Sequence, residues 1–132
     1  MEMFDIRTSA REEFIDVTER LRCLVAEKGW NDGLLVVSSP HTTAAVTINE
    51  AADPSVARDI LATLATLVPR HGDYRHQEGN SDAHVKTSLL GAAQLLIVEN
   101  GKLNLGSWQG VFLCEFDGPR TRRLRIKWLP AA

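Results

Sequence analysis

WQGVFLCEF, residues 108–116, is the stretch on which the fold turns. It has the composition and length of a β-strand. At a period of two, Phe112, Cys114 and Phe116 share one face and Val111 and Leu113 share the other. Both faces are apolar. A strand of that kind lies between two layers, or one of its faces meets another subunit.

The neighbouring segments extend the pattern. RLRIKW, residues 123–128, puts Leu124, Ile126 and Trp128 inward and Arg123, Arg125 and Lys127 outward. Arg122 reads with them as part of a solvated basic strand face. QLLIV, then Asn100-Gly101 and LNL, predicts a hairpin, because Asn-Gly suits a tight turn with positive φ. MFDIRT, residues 3–8, and GLLVVSS, residues 33–39, read as further strands. In residues 43–50, Ala44, Val46 and Ile48 alternate with Thr43, Thr47 and Asn49, which would put Glu50 at the edge of the core.

Three helices interrupt the strands. One is predicted over residues 16–28, with Asp16 and Glu19 at capping-box spacing, a stripe of Val17, Leu21, Leu24 and Val25, and Gly29 as its end. A second begins with Asp53 as N-cap and Pro54 in the first turn, buries Val56, Ile60, Leu61, Leu64 and Leu67, and stops at Pro69. A short third runs from Ser81 to Leu90, closed by Gly91. The fold class that follows is α+β: a single compact domain over 1–132, with a mainly antiparallel β-sandwich core, two main helices and one short one.

The bulk numbers set limits. A chain of 132 residues makes one domain and can bury a core without disulfides or metals. Net charge is −2, which argues against a general nucleic-acid binder. Cys23 and Cys114 read as two buried, reduced thiols. No apolar run approaches the ~18 residues needed to span a membrane, and the N-terminus lacks the basic and apolar regions of a signal peptide. A cytoplasmic protein without membrane or nucleic-acid partners is expected.

Some polar residues are not required by the fold. His41, His76 and His84 lie beside buried segments, and three imidazoles could hold a divalent metal, zinc-like or magnesium, with a position left open. Their spacing matches no compact metal motif. Glu50 and Asp82 could act as a base or support ligands. Lys86, Arg120 and Arg122 could meet an anion, and Arg120 follows Asp-Gly-Pro, a tight turn that fixes its direction. Trp108 and Gln109 could stack on and hydrogen-bond a flat heterocycle. Gly-rich phosphate motifs and nucleophile elbows are absent.

SPHTTAAVTINEAADPSVARDI (39–60), YRHQEGNSDAHVKTSLLG (74–91) and GKLNLGSWQGVFLCEFDGPRTRRLRI (101–126) resemble, in order and spacing, the YjbQ family, often labelled secondary thiamine-phosphate synthase. The resemblance implies a homotrimeric α+β domain with shared polar residues in a pocket near the subunit interface. Its motifs carry over to His41, Thr42, Asn49, Glu50, Asp53, His76, Asn80, Asp82, His84, Lys86, Trp108, Gln109, Glu115 and Arg120. It implies a metal-dependent transferase on a phosphorylated heterocycle. His41, His76 and His84 would be metal ligands, and Asp82, Glu50 and Arg120 catalytic groups. Asn49, Asn80, Lys86, Trp108, Gln109 and Thr42 would bind substrate. A phosphoester hydrolase on the same metal, or a trimer that binds a phosphorylated metabolite without turnover, are the other readings.

Overall fold

A computed structural model describes all 132 residues. Eight strands and three helices follow in the order β1 (Glu2–Arg7), β2 (Glu13–Asp16), α1 (Thr18–Lys28), β3 (Gly33–Ser38), β4 (Ala44–Glu50), α2 (Pro54–Leu67), α3 (Ser81–Leu90), β5 (Ala93–Glu99), β6 (Lys102–Leu103), β7 (Gln109–Glu115) and β8 (Thr121–Pro130). The strands form two antiparallel sheets. The larger has the order β1-β8-β3-β5-β6 and the smaller β2-β7-β4.

β7 is the centre of the smaller sheet, and both its faces are covered. Val111 and Leu113 join Ala44, Val46, Leu35, Val37, Leu124 and Ile126 in the main core between the sheets. Phe112, Cys114 and Phe116 form a second core with Ala45, Ala83 and Leu64 beneath α2 and α3. Of the two explanations for an apolar strand on both faces, the chain uses the first. The layers run α2 and α3, small sheet, large sheet; α1 packs Val17, Leu21, Leu24 and Val25 into the main core, and the outer face of the large sheet carries no layer. Phe112 on β7 and Phe116 just past its end, both buried, each contribute roughly 2 kcal/mol to holding α2 and α3 down.

Local signals account for the elements. Asp53 caps α2 by accepting from Ser55 N–H at 2.9 Å, with Pro54 in the first turn. Gly29 closes α1 in the left-handed conformation (φ 64°). Asn100 and Gly101 both have positive φ in the β5–β6 turn.

Four expectations need correction. The strand β2 is absent from the sequence reading, because Glu-Phe-Ile-Asp is too short to show a period. The Asp16–Glu19 capping box does not close: Asp16 accepts from Thr18 N–H, but Glu19 pairs with Arg22 instead. The α2 stripe is only partly buried. Leu64 is covered, Val56, Ile60 and Leu61 are half-buried, and Leu67 is 70% exposed, because α2 packs by one edge on a three-stranded sheet too narrow to cover it. Cys23 is exposed, on the outer side of α1, and only Cys114 is buried. Trp128 does face inward with Leu124 and Ile126, half-buried against the main core and stacked on Trp30 with ring centroids 5.2 Å apart. No helix is long and apolar enough to cross a membrane.

Candidate functional site

The turn between β7 and β8 is the meeting point of three separate elements. Arg123, just past it, donates its backbone N–H to His41 Nε2 at 2.9 Å, which ties down the loop after β3. Asp117 accepts from Asn80 Nδ2 at 2.9 Å, which ties down the start of α3. The same carboxylate accepts from Arg120 Nη2 at 3.2 Å, and Arg120 Nε donates to the Asp117 carbonyl at 2.9 Å. His84 follows one turn along α3, and His76 meets it edge-on with ring centroids 5.4 Å apart. Thr42 is exposed beside His41. The sequence-predicted His41, Thr42, His76, Asn80, His84 and Arg120 thus belong to one end of the sandwich.

Two buried ion clusters brace that end. Inside the sandwich, Glu115 of β7 accepts from Arg122 Nε at 2.9 and 3.0 Å, from Arg122 Nη2, and from Thr8 Oγ1 at 2.8 Å. Arg122 Nη2 also donates to Thr43 Oγ1 and carbonyl, at 2.9 and 3.2 Å. Burial pushes the Glu115 carboxyl up, but the Arg122 and Thr8 hydrogen bonds outweigh it and leave the pKa below the ordinary glutamate value. Arg122 is therefore not part of a solvated face. It shares the inward parity of Leu124 and Ile126.

Beneath α3, Asp82 accepts from Arg11 Nη1 and Nη2 at 3.3 and 3.0 Å and from Lys86 Nζ at 2.9 Å. Lys86 in turn reaches Glu12 at 2.8 Å. Asp82 is 0% and Lys86 1% exposed. Burial pushes the Asp82 carboxyl up, and the Arg11 and Lys86 hydrogen bonds bring it below its ordinary value. A carboxylate sealed from solvent and held by two cations has no open path to a substrate proton. In this chain Asp82 is a brace rather than a catalytic base, and Lys86 is a brace rather than an open substrate contact.

Asn49, Glu50, Trp108 and Gln109 lie elsewhere. The β4–β7 ladder pairs Ala44 with Glu115 at the histidine end and Glu50 with Gln109 at the other. That is about 20 Å at roughly 3.3 Å per residue. Trp108 is 67% exposed, and Gln109 Oε1 accepts from Gly106 N–H at 2.8 Å. Glu50 and Asp53 line a cleft of about 380 Å³ between α2 and the small sheet, floored by Phe14, Phe112 and Leu61. One chain therefore presents its motif residues in two groups, one at each end of the β4–β7 pair.

The three-histidine metal centre does not fit this geometry. His76 and His84 meet, but His41 gives the Nε2 lone pair to Arg123 N–H. No group of three or more His, Cys, Asp or Glu side chains converges as a metal centre would require. Burial, then the Arg122 charge, keep the His41 pKa below its ordinary value, so the ring is neutral with its proton on Nδ1.

The sequence reading missed Thr8, Arg11 and Glu12, which join the two ion clusters from the β1–β2 connection. One signal for them exists: Asp82 and Lys86, opposite charges at i,i+4 on an otherwise apolar-facing helix turn, need outside partners when buried. Gly118 also belongs here. Its N–H donates to the Arg11 carbonyl at 3.0 Å, and a Cβ there would stand 2.4 Å from the Ala10 carbonyl oxygen. Only glycine lets the turn lie against this connection.

Comparison with known proteins assigns the arrangement to a group. A family model described as "UPF0047 protein YjbQ-like" matches residues 2–131. A UPF0047 protein of Methanocaldococcus jannaschii is 48% identical over 94% of this chain and 90% of its own length. The UPF0047 protein YugU of Bacillus subtilis is 47% identical, with 98% of each chain covered. Among solved structures, an uncharacterised YjbQ/UPF0047 protein from Clostridium acetobutylicum superposes with a TM-score of 0.95 at 51% identity, over 98% of this chain and 100% of that one. A YbjQ-like protein of unknown function from Sulfolobus solfataricus does so with 0.94 at 29% identity, over 98% and 96%. With the sandwich, its motifs and nearly every residue matched, the chain belongs to the YjbQ-like UPF0047 family.

Proposed function

We propose that this chain is an enzyme of the transferase class acting on a small phosphorylated heterocycle, with thiamine-phosphate synthesis as the activity to test first, and that it works as a homotrimer. The observation that carries this reading is the β7–β8 turn, where Arg120, His41 and the start of α3 are tied together through Asp117 and Arg123. An arginine and nearby imidazole donors suit a leaving diphosphate. In the reaction, the thiazole nitrogen forms a bond to the pyrimidine methylene carbon. The carbon–oxygen bond to diphosphate breaks, and its electron pair leaves with pyrophosphate. Arg120, His76 and His84 would take the growing negative charge. Trp108 and Gln109 would hold the flat ring, with Asn49 and Glu50 beside it. No step is assigned to a metal.

The test is incubation of purified protein with hydroxymethylpyrimidine diphosphate and thiazole phosphate, with pyrophosphate and thiamine phosphate followed by mass spectrometry. Product in the wild type and a loss of about a hundredfold or more in Arg120→Ala supports the reading. A second reading, a metabolite-binding trimer without turnover, draws on the sealing of Asp82, which removes one of the two expected proton carriers. Tight pyrophosphate binding with no product would favour it. Neither binding nor product would sink both.

A further inference from the structure

The connection from α2 to α3 is anchored at both ends and tied down nowhere between. At its start Val68 N–H donates to the Leu64 carbonyl at 2.8 Å. At its end the Asn80 carbonyl accepts from Ala83 and His84 N–H at 3.0 and 3.3 Å, and Asn80 Nδ2 holds Asp117. Residues 69–79 make no backbone-to-backbone hydrogen bond, and all but Tyr74 are exposed. Packed helices are usually joined by about 2–8 residues, and a longer connection without secondary structure is commonly a lid or a binding loop. A segment with so few ties opens at little cost.

The segment has order of its own. Tyr74 Oη donates to the Pro69 carbonyl, and a Cβ at Gly72 would stand 3.1 Å from the Tyr74 ring. Residues 69–74 therefore form a small knob, closed on itself. Residues 75–79 are the strap that carries it. Gly79 has φ 81° and nothing within 4 Å of where a Cβ would be, which makes it a free hinge beside Asn80. Ahead of that hinge, the His76 ring meets His84, with centroids 5.4 Å apart.

The reaction proposed above gives such a device a purpose. As the carbon–oxygen bond to diphosphate breaks, water competes with the thiazole nitrogen for the methylene carbon. Attack by water would give the pyrimidine alcohol and pyrophosphate, with release of a proton, and waste the substrate. Arg120 and Thr42 are exposed, so the histidine end is open to solvent. We propose that residues 69–79 are a lid that folds over a diphosphate held at Arg120, turning at Gly79 and closing through His76, and so keeps water out. The lid rests on the diphosphate site proposed above and adds its gate. His76 is its positioning residue.

The test is limited trypsin digestion of the full chain, since Arg70 and Arg75 lie exposed on the segment. Mass spectrometry identifies the cuts, and calorimetry measures pyrophosphate binding separately. Without ligand, the first cuts fall after Arg70 and Arg75. Saturating pyrophosphate slows both about tenfold or more, because it binds the closed form. Arg120→Ala is cut at the unprotected rate with or without pyrophosphate, which also shows that the ion does not act on the protease. His76→Ala still binds pyrophosphate but loses most of the protection. A ligand-free wild type that resists cutting at both arginines overturns the lid, because the segment is then already fixed. Pyrophosphate that binds wild type without slowing the cuts overturns the lid and leaves the diphosphate site standing. Pyrophosphate that does not bind overturns both. A His76→Ala chain protected as fully as wild type overturns His76 as the closing contact.

Discussion

Arg122 on β8 and Glu115 on β7 face each other inside the sandwich, a buried ion pair that joins the two sheets at their histidine end. Hydrogen bonds with Thr8, Thr43 and the Asp117 N–H support the pair, as a buried pair requires. Removing one partner leaves a buried charge without compensation. Glu115→Leu or Arg122→Met alone is expected to cost about 3–5 kcal/mol, and the two together clearly less than the sum. Urea unfolding of the four proteins checks it. Additive losses would mean that the pair is not coupled.

Acid should unfold the chain through two carboxyls. Asp82 and Glu115 both have folded pKa values below the ordinary ones, despite burial. The unfolded chain then binds protons more readily than the folded one, so stability falls as pH falls. The contribution is full above the unfolded carboxyl values, about pH 4 to 4.5, and is lost as pH drops through the lower folded values. The urea midpoint of wild type should fall as pH drops below about 4.5. Asp82→Asn should start lower and fall less. Parallel curves would remove Asp82 from the account.

His41 should be neutral in the Nδ1–H form. Burial and the Arg122 charge act against the protonated ring, and Arg123 N–H needs the Nε2 lone pair. A folded value below the ordinary 6.5 means the ring takes its charge only in more acid solution. Imidazole nitrogen NMR at neutral pH should show Nε2 unprotonated. A positively charged ring there, or a proton on Nε2, contradicts the geometry.

The metal question has a direct measurement. Purified, untagged protein equilibrated with zinc and desalted should retain well under one ion per chain, and His41→Ala should match wild type. About one ion per chain, lost equally in His41→Ala and His84→Ala, would restore the three-histidine centre and require His41 to release Arg123.

Much of the architecture was written in short-range patterns. Alternation in residues 109–116 and 123–128 places both sheets, and Asp53-Pro54, Gly29 and Asn100-Gly101 mark turns and caps where they occur. The site was legible only in part. Period-two parity already put Arg122 inward beside Leu124, yet its charge suggested solvent. The partners of Asp82 and Lys86 lie more than seventy residues away, at Arg11 and Glu12, in a connection with no periodic pattern. Nor does a linear motif reveal that β4 pairs with β7 so that Glu50 meets Gln109 and Ala44 meets Glu115, which is what divides the motif residues into two groups.

The β1–β2 connection has a consequence for how the sequence can drift. Thr8, Arg11 and Glu12 supply partners to Glu115 on β7 and to Asp82 and Lys86 on α3, so five residues of chain join two distant elements. A lone charge change at position 11, 12, 82 or 86 strands its opposite number in the interior. The four positions are free to vary only as a set, and an exchange of this connection between relatives will succeed only when α3 travels with it.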